Sequence, residues 1–187
     1  MKRRIAILGL SGVGKSTLIG RIRETVPLLH LQASGLIKAE QAHRERSPDS
    51  SEALRTGAVI DNQSLMIAAY RREAAATDLP IVFDGHSIID GRNGLIEIPA
   101  SVFAELELDA ICHMAADPHV IAARRRADVG RERPHRDIPT LEQHQYLAEA
   151  QARRIADTLG RPFILIAEGE LGSVLDFISG ACDRAAH

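Results

Sequence analysis

Ile5-Ala6-Ile7-Leu8-Gly9-Leu10-Ser11-Gly12-Val13-Gly14-Lys15-Ser16-Thr17 is the stretch from which the rest of the chain is read. An uncharged apolar run feeds a glycine-rich turn, and the turn ends in Gly-Lys-Ser at the spacing of a phosphate-binding loop. Gly9, Gly12 and Gly14 let the backbone curl so that successive N–H groups, that of Val13 among them, face one anion with no Cβ in the way. A helix starting at Lys15 adds the partial positive charge of its N-terminus. The Lys15 ammonium reaches the outer phosphates of a nucleoside triphosphate, the Ser16 hydroxyl suits Mg²⁺, and Thr17 supports the helix or an inner phosphate. Lysine is scarce, occurring only as Lys2, Lys15 and Lys38, so no neighbouring lysine duplicates Lys15.

Working outward, 187 residues at 45% hydrophobic content suffice for one α/β domain with a real core. A net charge of −2 exerts no general pull toward DNA or RNA. Met1-Lys2-Arg3-Arg4 and the apolar run after it lack a small-residue cleavage site, and no window reaches membrane-spanning length. With Cys112 and Cys182 as the only cysteines, free or buried thiols and a cytoplasmic setting are expected.

Short charge-free runs recur at 4–9, 28–32, 80–84, 109–114 and 162–167, separated by helical stretches at 15–25, 34–45, 51–77, 118–128, 139–159 and 171–184. That alternation predicts a three-layer α/β fold of the P-loop NTPase type, a five-stranded parallel sheet with helices on both faces, in a single domain over 1–187. Ser47-Pro48-Asp49-Ser50-Ser51 and the arginine-dense Arg124–Arg136 do not fit the sheet and read as insertions over the ligand face.

Pro80-Ile81-Val82-Phe83-Asp84-Gly85-His86 is an apolar strand that ends in a carboxylate. In a doubly wound sheet, ligands gather at the carboxyl ends of the strands, so Asp84 is placed to face Ser16 across a Mg²⁺ ion. His86 is a candidate contact to a second substrate, with a structural hydrogen bond as the alternative. The arginines at 124, 125, 126, 131, 133 and 136 form either a solvated face or a mobile lid that closes on a phosphoryl group in transfer. His30 and His113 read as hydrogen-bonded residues of buried strands. His43, His119, His135 and His144 are scattered, without the paired spacing of a zinc site.

Asp84-Gly85-His86-Ser87, Gly94-Leu95, Pro99, Arg124-Arg125, Asp128, Arg131, Arg133 and His144-Gln145 together resemble the archaeal-type adenylate kinases. That family has a strand ending in Asp-Thr-His-Ser, a short lid of Arg-Arg, Asp and Arg-x-Arg, and a following helix with Glu-His-Gln. The resemblance implies an ATP- and Mg²⁺-dependent nucleoside monophosphate kinase, with AMP the first acceptor to expect. It implies an acceptor-binding segment over 31–77 and a lid over 124–137. Arg124 or Arg125 would flank the donor base and phosphates, Arg131 and Arg133 would close over the phosphoryl group, and Arg55 would hold the monophosphate. Two positions depart from the pattern. Where the family reads Asn-Phe-Gly, this chain reads Ala33-Ser34-Gly35, keeping only Gly35 on the acceptor side, and Pro134 stands where the lid pattern has an Asp.

Two other functions share the same loop. A small-metabolite kinase would need a base for a hydroxyl acceptor, for which Asp84, Glu40, Asp49 and Asp61 are candidates. An ATPase or nucleotide-dependent switch would turn the lid arginines toward a protein or RNA partner.

Overall fold

Strand β1 (Arg4–Leu8) is wholly buried from Ile5 to Leu8, and that double-sided burial explains why its sequence is an unbroken apolar run rather than an alternating one. Ile5 and Ile7 pack into one hydrophobic cluster while Ala6 and Leu8 pack into a second on the opposite face of the sheet. A computed structural model describes residues 2–44, 59–91, 94–128 and 134–179 of the chain. Around β1 they form α1 (Lys15–Thr25), β2 (Leu29–Gln32), α2 (Ala33–His43), α3 (Val59–Ala75), β3 (Ile81–Asp84), β4 (Ile88–Gly91) and β5 (Gly94–Glu97). There follow α4 (Ala100–Ala104), β6 (Ala110–Met114), α5 (Pro118–Ala127), α6 (Ile138–Leu159), β7 (Phe163–Ile166) and α7 (Gly172–Ile178).

The main sheet runs β2-β3-β1-β6-β7, all parallel, with Ile7 opposite Asp84 and Leu8 opposite His113. This register brings the phosphate loop, Asp84 and the end of β6 to one edge, where a doubly wound sheet collects its ligands. One face is covered by α1, α5 and α7, whose Leu18, Ile22, Ile121 and Val174 share a cluster with Ile5 and Ile7. The other is covered by α2, α3 and α4, through Leu36, Met66, Tyr70 and Phe103, and α6 contributes to both.

Each of the five expected strands is present within a residue of its predicted limits, and the helices follow, except that the one expected over 171–184 ends at Ile178, with residues 180–184 outside the described residues. The Asp137 carboxylate caps α6 by accepting from the Thr140 N–H at 3.0 Å, Pro139 sits in its first turn, and Gly160 ends it at φ 60°. Of the helix expected over 51–77, residues 59–75 are helical and 51–58 lie outside the described residues. The antiparallel hairpin β4–β5 and the five-residue α4 were not anticipated. Ile-Ile-Asp-Gly and Gly-Leu-Ile-Glu are too short to show a period, and neither strand is buried along its length.

His113 corrects another expectation. It is buried as predicted, but neither ring nitrogen has a hydrogen-bond partner, and burial pushes its pKa down to about 4. Cys112 is a buried free thiol whose pKa burial raises to about 12, which makes it inert as a nucleophile at neutral pH. Among the described residues no helix is long and apolar enough to cross a membrane.

Two stability measurements follow from this packing. Ile111 is fully buried in β6, so Ile111→Ala should cost about 2–5 kcal/mol in urea unfolding; a loss below half a kilocalorie would contradict its place in the core. His113 stays neutral in the fold while the unfolded chain takes up a proton near its ordinary pKa of about 6.5. Stability therefore falls as pH drops from that value toward the folded pKa, by about 1.4 kcal/mol per pH unit for this one group. His113→Leu removes an orphaned polar group, so it should leave neutral-pH stability equal or higher and flatten the acid slope between pH 6.5 and 4.5. A variant with the wild-type slope would refute this origin.

Candidate active site

Gly9 leaves β1 at φ 151°, and a Cβ there would lie 2.5 Å from the Met114 carbonyl oxygen, so glycine is required for β1 and β6 to close beside each other at the loop. The loop then enters α1 at Lys15 with no side chain capping the helix and no acid in its first turn. The first N–H groups of α1 are thereby left for an anion, and the Ser16 and Thr17 side chains beside them are exposed.

The Lys15 ammonium is buried, donating to the carbonyls of Gly9 at 2.9 Å and Leu10 at 3.3 Å, and lies 3.8 Å from Asp84 Oδ1. On the other side of that carboxylate, His30 Nε2 is 3.6 Å from Asp84 Oδ2, just beyond hydrogen-bond length. Burial alone would raise the Asp84 pKa, but His30 and Lys15 overcome it and hold the carboxyl below its usual range. Asp84 is thus an anion at neutral pH, buried between Lys15 and His30. His30, expected as a core residue, belongs to this site. Its position opposite Val82 on β2 carried no sequence signal.

His86 Nδ1 is 2.7 Å from the Gly9 carbonyl oxygen, which can only accept, so Nδ1 carries the proton and donates. Burial, and then the charge of Lys15, push its pKa down to about 3. A neutral imidazole with that tautomer presents Nε2 as an acceptor. His86 also lines a cavity of about 80 Å³ walled by Ile37, Met66, Phe83, Ile98 and Phe103, with Asn62 and Gln63 of α3 at its polar side. Gly35 does not line this cavity. It lies within α2, where an added Cβ would meet nothing closer than Gln32 Cβ at 3.9 Å, and Ala33 and Ile37 line the cavity instead.

The arginine run is split by the structure. Arg124 and Arg125 occupy the last turn of α5. Arg124 Nη1 donates to the Val13 carbonyl at 2.8 Å and its other terminal nitrogen pairs with Glu168; the side chain is exposed. Arg125 Nε donates to the Ser11 carbonyl at 2.8 Å, and Nη1 reaches Asp90 on β4. Gly12 and Gly14 leave the room that both side chains occupy. Gln145 on α6 holds the segment after β6, accepting from the Ala116 N–H and donating to its carbonyl. Arg55, Arg131 and Arg133 lie outside the described residues, as does Asp49. Glu40, one of the candidate bases, is committed elsewhere: Arg72 and then Arg44 bind its carboxylate at 2.7 and 2.8 Å and lower its pKa.

Among the described residues no three His, Cys, Asp or Glu side chains gather around a common metal position. Ser16 stands exposed in the first turn of α1, and the ionised Asp84 carboxylate lies 3.8 Å from the Lys15 ammonium of the same loop. That sparse oxygen set fits Mg²⁺, which keeps most of its waters and takes phosphate oxygens as ligands.

A family model described as an AAA domain matches residues 8–142. The adenylate kinase of Thermococcus onnurineus is 30% identical over 152 residues, covering 79% of this chain and 77% of that protein. The adenylate kinase of Thermoplasma acidophilum is 25% identical over 191 residues, covering 98% and 94%. Among solved structures, a shikimate kinase from Bacteroides thetaiotaomicron superposes with a TM-score of 0.56 at 13% identity, over 97% of this chain and 98% of the other, a likeness of fold.

Lys15→Ala should weaken binding of a fluorescent ATP analogue with Mg²⁺ by at least about tenfold, the scale of a lost charge-assisted hydrogen bond, while circular dichroism stays unchanged. Unaltered affinity in the folded variant would remove Lys15 from the nucleotide site.

Proposed function

Because the chain belongs to the adenylate kinase-like P-loop kinases, ATP-dependent phosphotransferases that work with Mg²⁺, we propose that it transfers the γ-phosphoryl group of ATP to a nucleoside monophosphate, AMP first among them. The observation that carries this reading is the cavity beside Asp84 and His86. It has the apolar walls that a flat base would stack on, and carboxamides and an imidazole acceptor to meet its polar edge.

In this reading, the N–H groups of the loop and of α1 hold the triphosphate, and Lys15 exchanges the Gly9 and Leu10 carbonyls for phosphate oxygens. Ser16 and Asp84 would hold the Mg²⁺. The ion supplies charge neutralisation on the phosphates when bound. Arg124, exposed and resting on the Val13 carbonyl, would swing onto the nucleotide. Arg131 and Arg133, in a lid over 124–137, would meet the phosphoryl group as it moves, and Arg55, in the 31–77 segment, would meet the acceptor's phosphate. A phosphate acceptor is already anionic and needs no proton removed, so positioning and charge neutralisation carry the step. That agrees with the carboxylates of the site. Asp84 is held below its ordinary pKa and Glu40 is tied to two arginines, which leaves neither suited to activate a hydroxyl. In this reading the protein works in the cytoplasm.

Incubation with ATP, Mg²⁺ and each common nucleoside monophosphate in turn, resolved by chromatography, tests the reading. Two ADP should form for each AMP consumed, or one other monophosphate should yield its diphosphate. Release of free phosphate at a rate indifferent to every monophosphate would overturn the proposal and favour an ATPase or switch.

A further inference from the structure

The β4–β5 hairpin stands apart from the five-stranded sheet, yet it places one carboxylate among three basic side chains from three other parts of the chain. Asp90 Oδ2 accepts from Arg125 Nη1 of α5 at 3.3 Å. Oδ1 accepts from Arg136 Nε and Nη2 at 3.2 and 3.1 Å. His144 Nδ1 of α6 lies 3.6 Å from Oδ2. The cluster is largely withdrawn from water: the Asp90 side chain is 10% exposed and that of Arg125 9%. Arg125 spends its Nε on the Ser11 carbonyl, inside the phosphate loop itself.

We propose that Asp90 is a positioning residue that holds the phosphate loop in its nucleotide-ready shape through Arg125. An arginine this deeply sunk, with Nε on the loop and Nη1 on a carboxylate, is a strut. The guanidinium is rigid and planar, so fixing Nη1 at Asp90 fixes the direction in which Nε meets Ser11. Among the described residues, Arg125 holds the Ser11 carbonyl and Arg124 the Val13 carbonyl, and of these two holds that of Arg125 is the one anchored at its far end by a buried group. Arg136 completes the charge balance, and its further bond to the Gly91 carbonyl at 3.1 Å locks the hairpin end. Asparagine could not replace the aspartate, because its NH₂ would face donors from one of the two guanidinium groups. The neighbouring Ile89 lines the cavity assigned above to the acceptor, so one hairpin borders both the donor loop and that cavity.

The role rests on the kinase reading only in that the loop binds ATP, and its test is made without an acceptor. Mg²⁺ with a fluorescent ATP analogue is titrated into the wild type, Asp90→Asn and Asp90→Glu, each checked for folding by circular dichroism and thermal melting. Asp90→Asn should weaken the analogue by about tenfold, the worth of one charge-assisted contact, and Asp90→Glu, which restores the charge, should recover most of the loss. A folded Asp90→Asn with wild-type affinity, or an Asp90→Glu no better than Asp90→Asn, overturns the proposal. Should Asp90→Asn fail to fold, Arg125→Lys decides: it keeps the charge but cannot reach Ser11 and Asp90 together, and it should show the same weakening, whereas unchanged affinity overturns the role. If no nucleoside monophosphate is ever phosphorylated, the acceptor assignment falls and this titration is unaffected.

Discussion

One carbonyl oxygen organises the site. Gly9 O accepts from the Lys15 ammonium at 2.9 Å and from His86 Nδ1 at 2.7 Å, so the first residue after β1 holds the loop's cation and the histidine that follows the third strand. It does so because β1 and β3 are paired in a register that sets Ile7 beside Asp84, and the Gly85 N–H donates back to Ile7 O at 3.2 Å. Slipping that register by one residue would turn Asp84 to the other face of the sheet and remove His86 from reach of Gly9. Lys15, Asp84, His30 and His86 form one electrostatic unit: the ammonium lowers His86, both act on Asp84, and the carboxylate stays charged in spite of its burial.

The sheet and the loop were legible in the sequence because each rests on a local, dense signal. A parallel strand covered on both faces must be apolar at every position, which is what Ile5-Ala6-Ile7-Leu8 and Ile81-Val82-Phe83 show. The phosphate loop needs particular residue types at adjacent positions. Neither condition applies to Asp90 or His30. Asp90 sits in a four-residue strand of mixed burial, and its partners Arg125, Arg136 and His144 lie 35 to 54 positions away, a separation that no spacing rule on a single sequence bridges. His113 shows the converse failure. Burial was readable from its strand, but whether a partner stands opposite a buried polar group depends on which side chain a distant helix presents.

The arginine run also changes meaning once folded. Read along the chain, Arg124, Arg125 and Arg126 are three adjacent charges. On α5 they point in different directions, because neighbours on a helix are turned by roughly 100° from one another. Arg125 is thereby driven inward to Asp90 while Arg124 stays at the surface with Glu168. Two of the arginines in this part of the chain, Arg125 and Arg136, are paired with one specific carboxylate, that of Asp90. Arg72 and Arg44 on Glu40 repeat the arrangement between α2 and α3.

That second cluster bears on how an acceptor would be recognised. The resemblance to adenylate kinases places Asn and Phe where this chain has Ala33 and Ser34, so hydrogen bonding and stacking for a base must come from elsewhere. The cavity draws its polar groups from α3, through Asn62 and Gln63, and its aromatic walls from Phe83 and Phe103, which are held edge to face with centroids 6.4 Å apart. The aromatic part is fixed to the sheet and to α4. The carboxamides ride on a helix that Arg72 ties to Glu40 of α2. A ligand that meets Asn62 and Gln63 would therefore touch a helix braced against α2, whereas one that fills only the apolar walls would touch the sheet and α4.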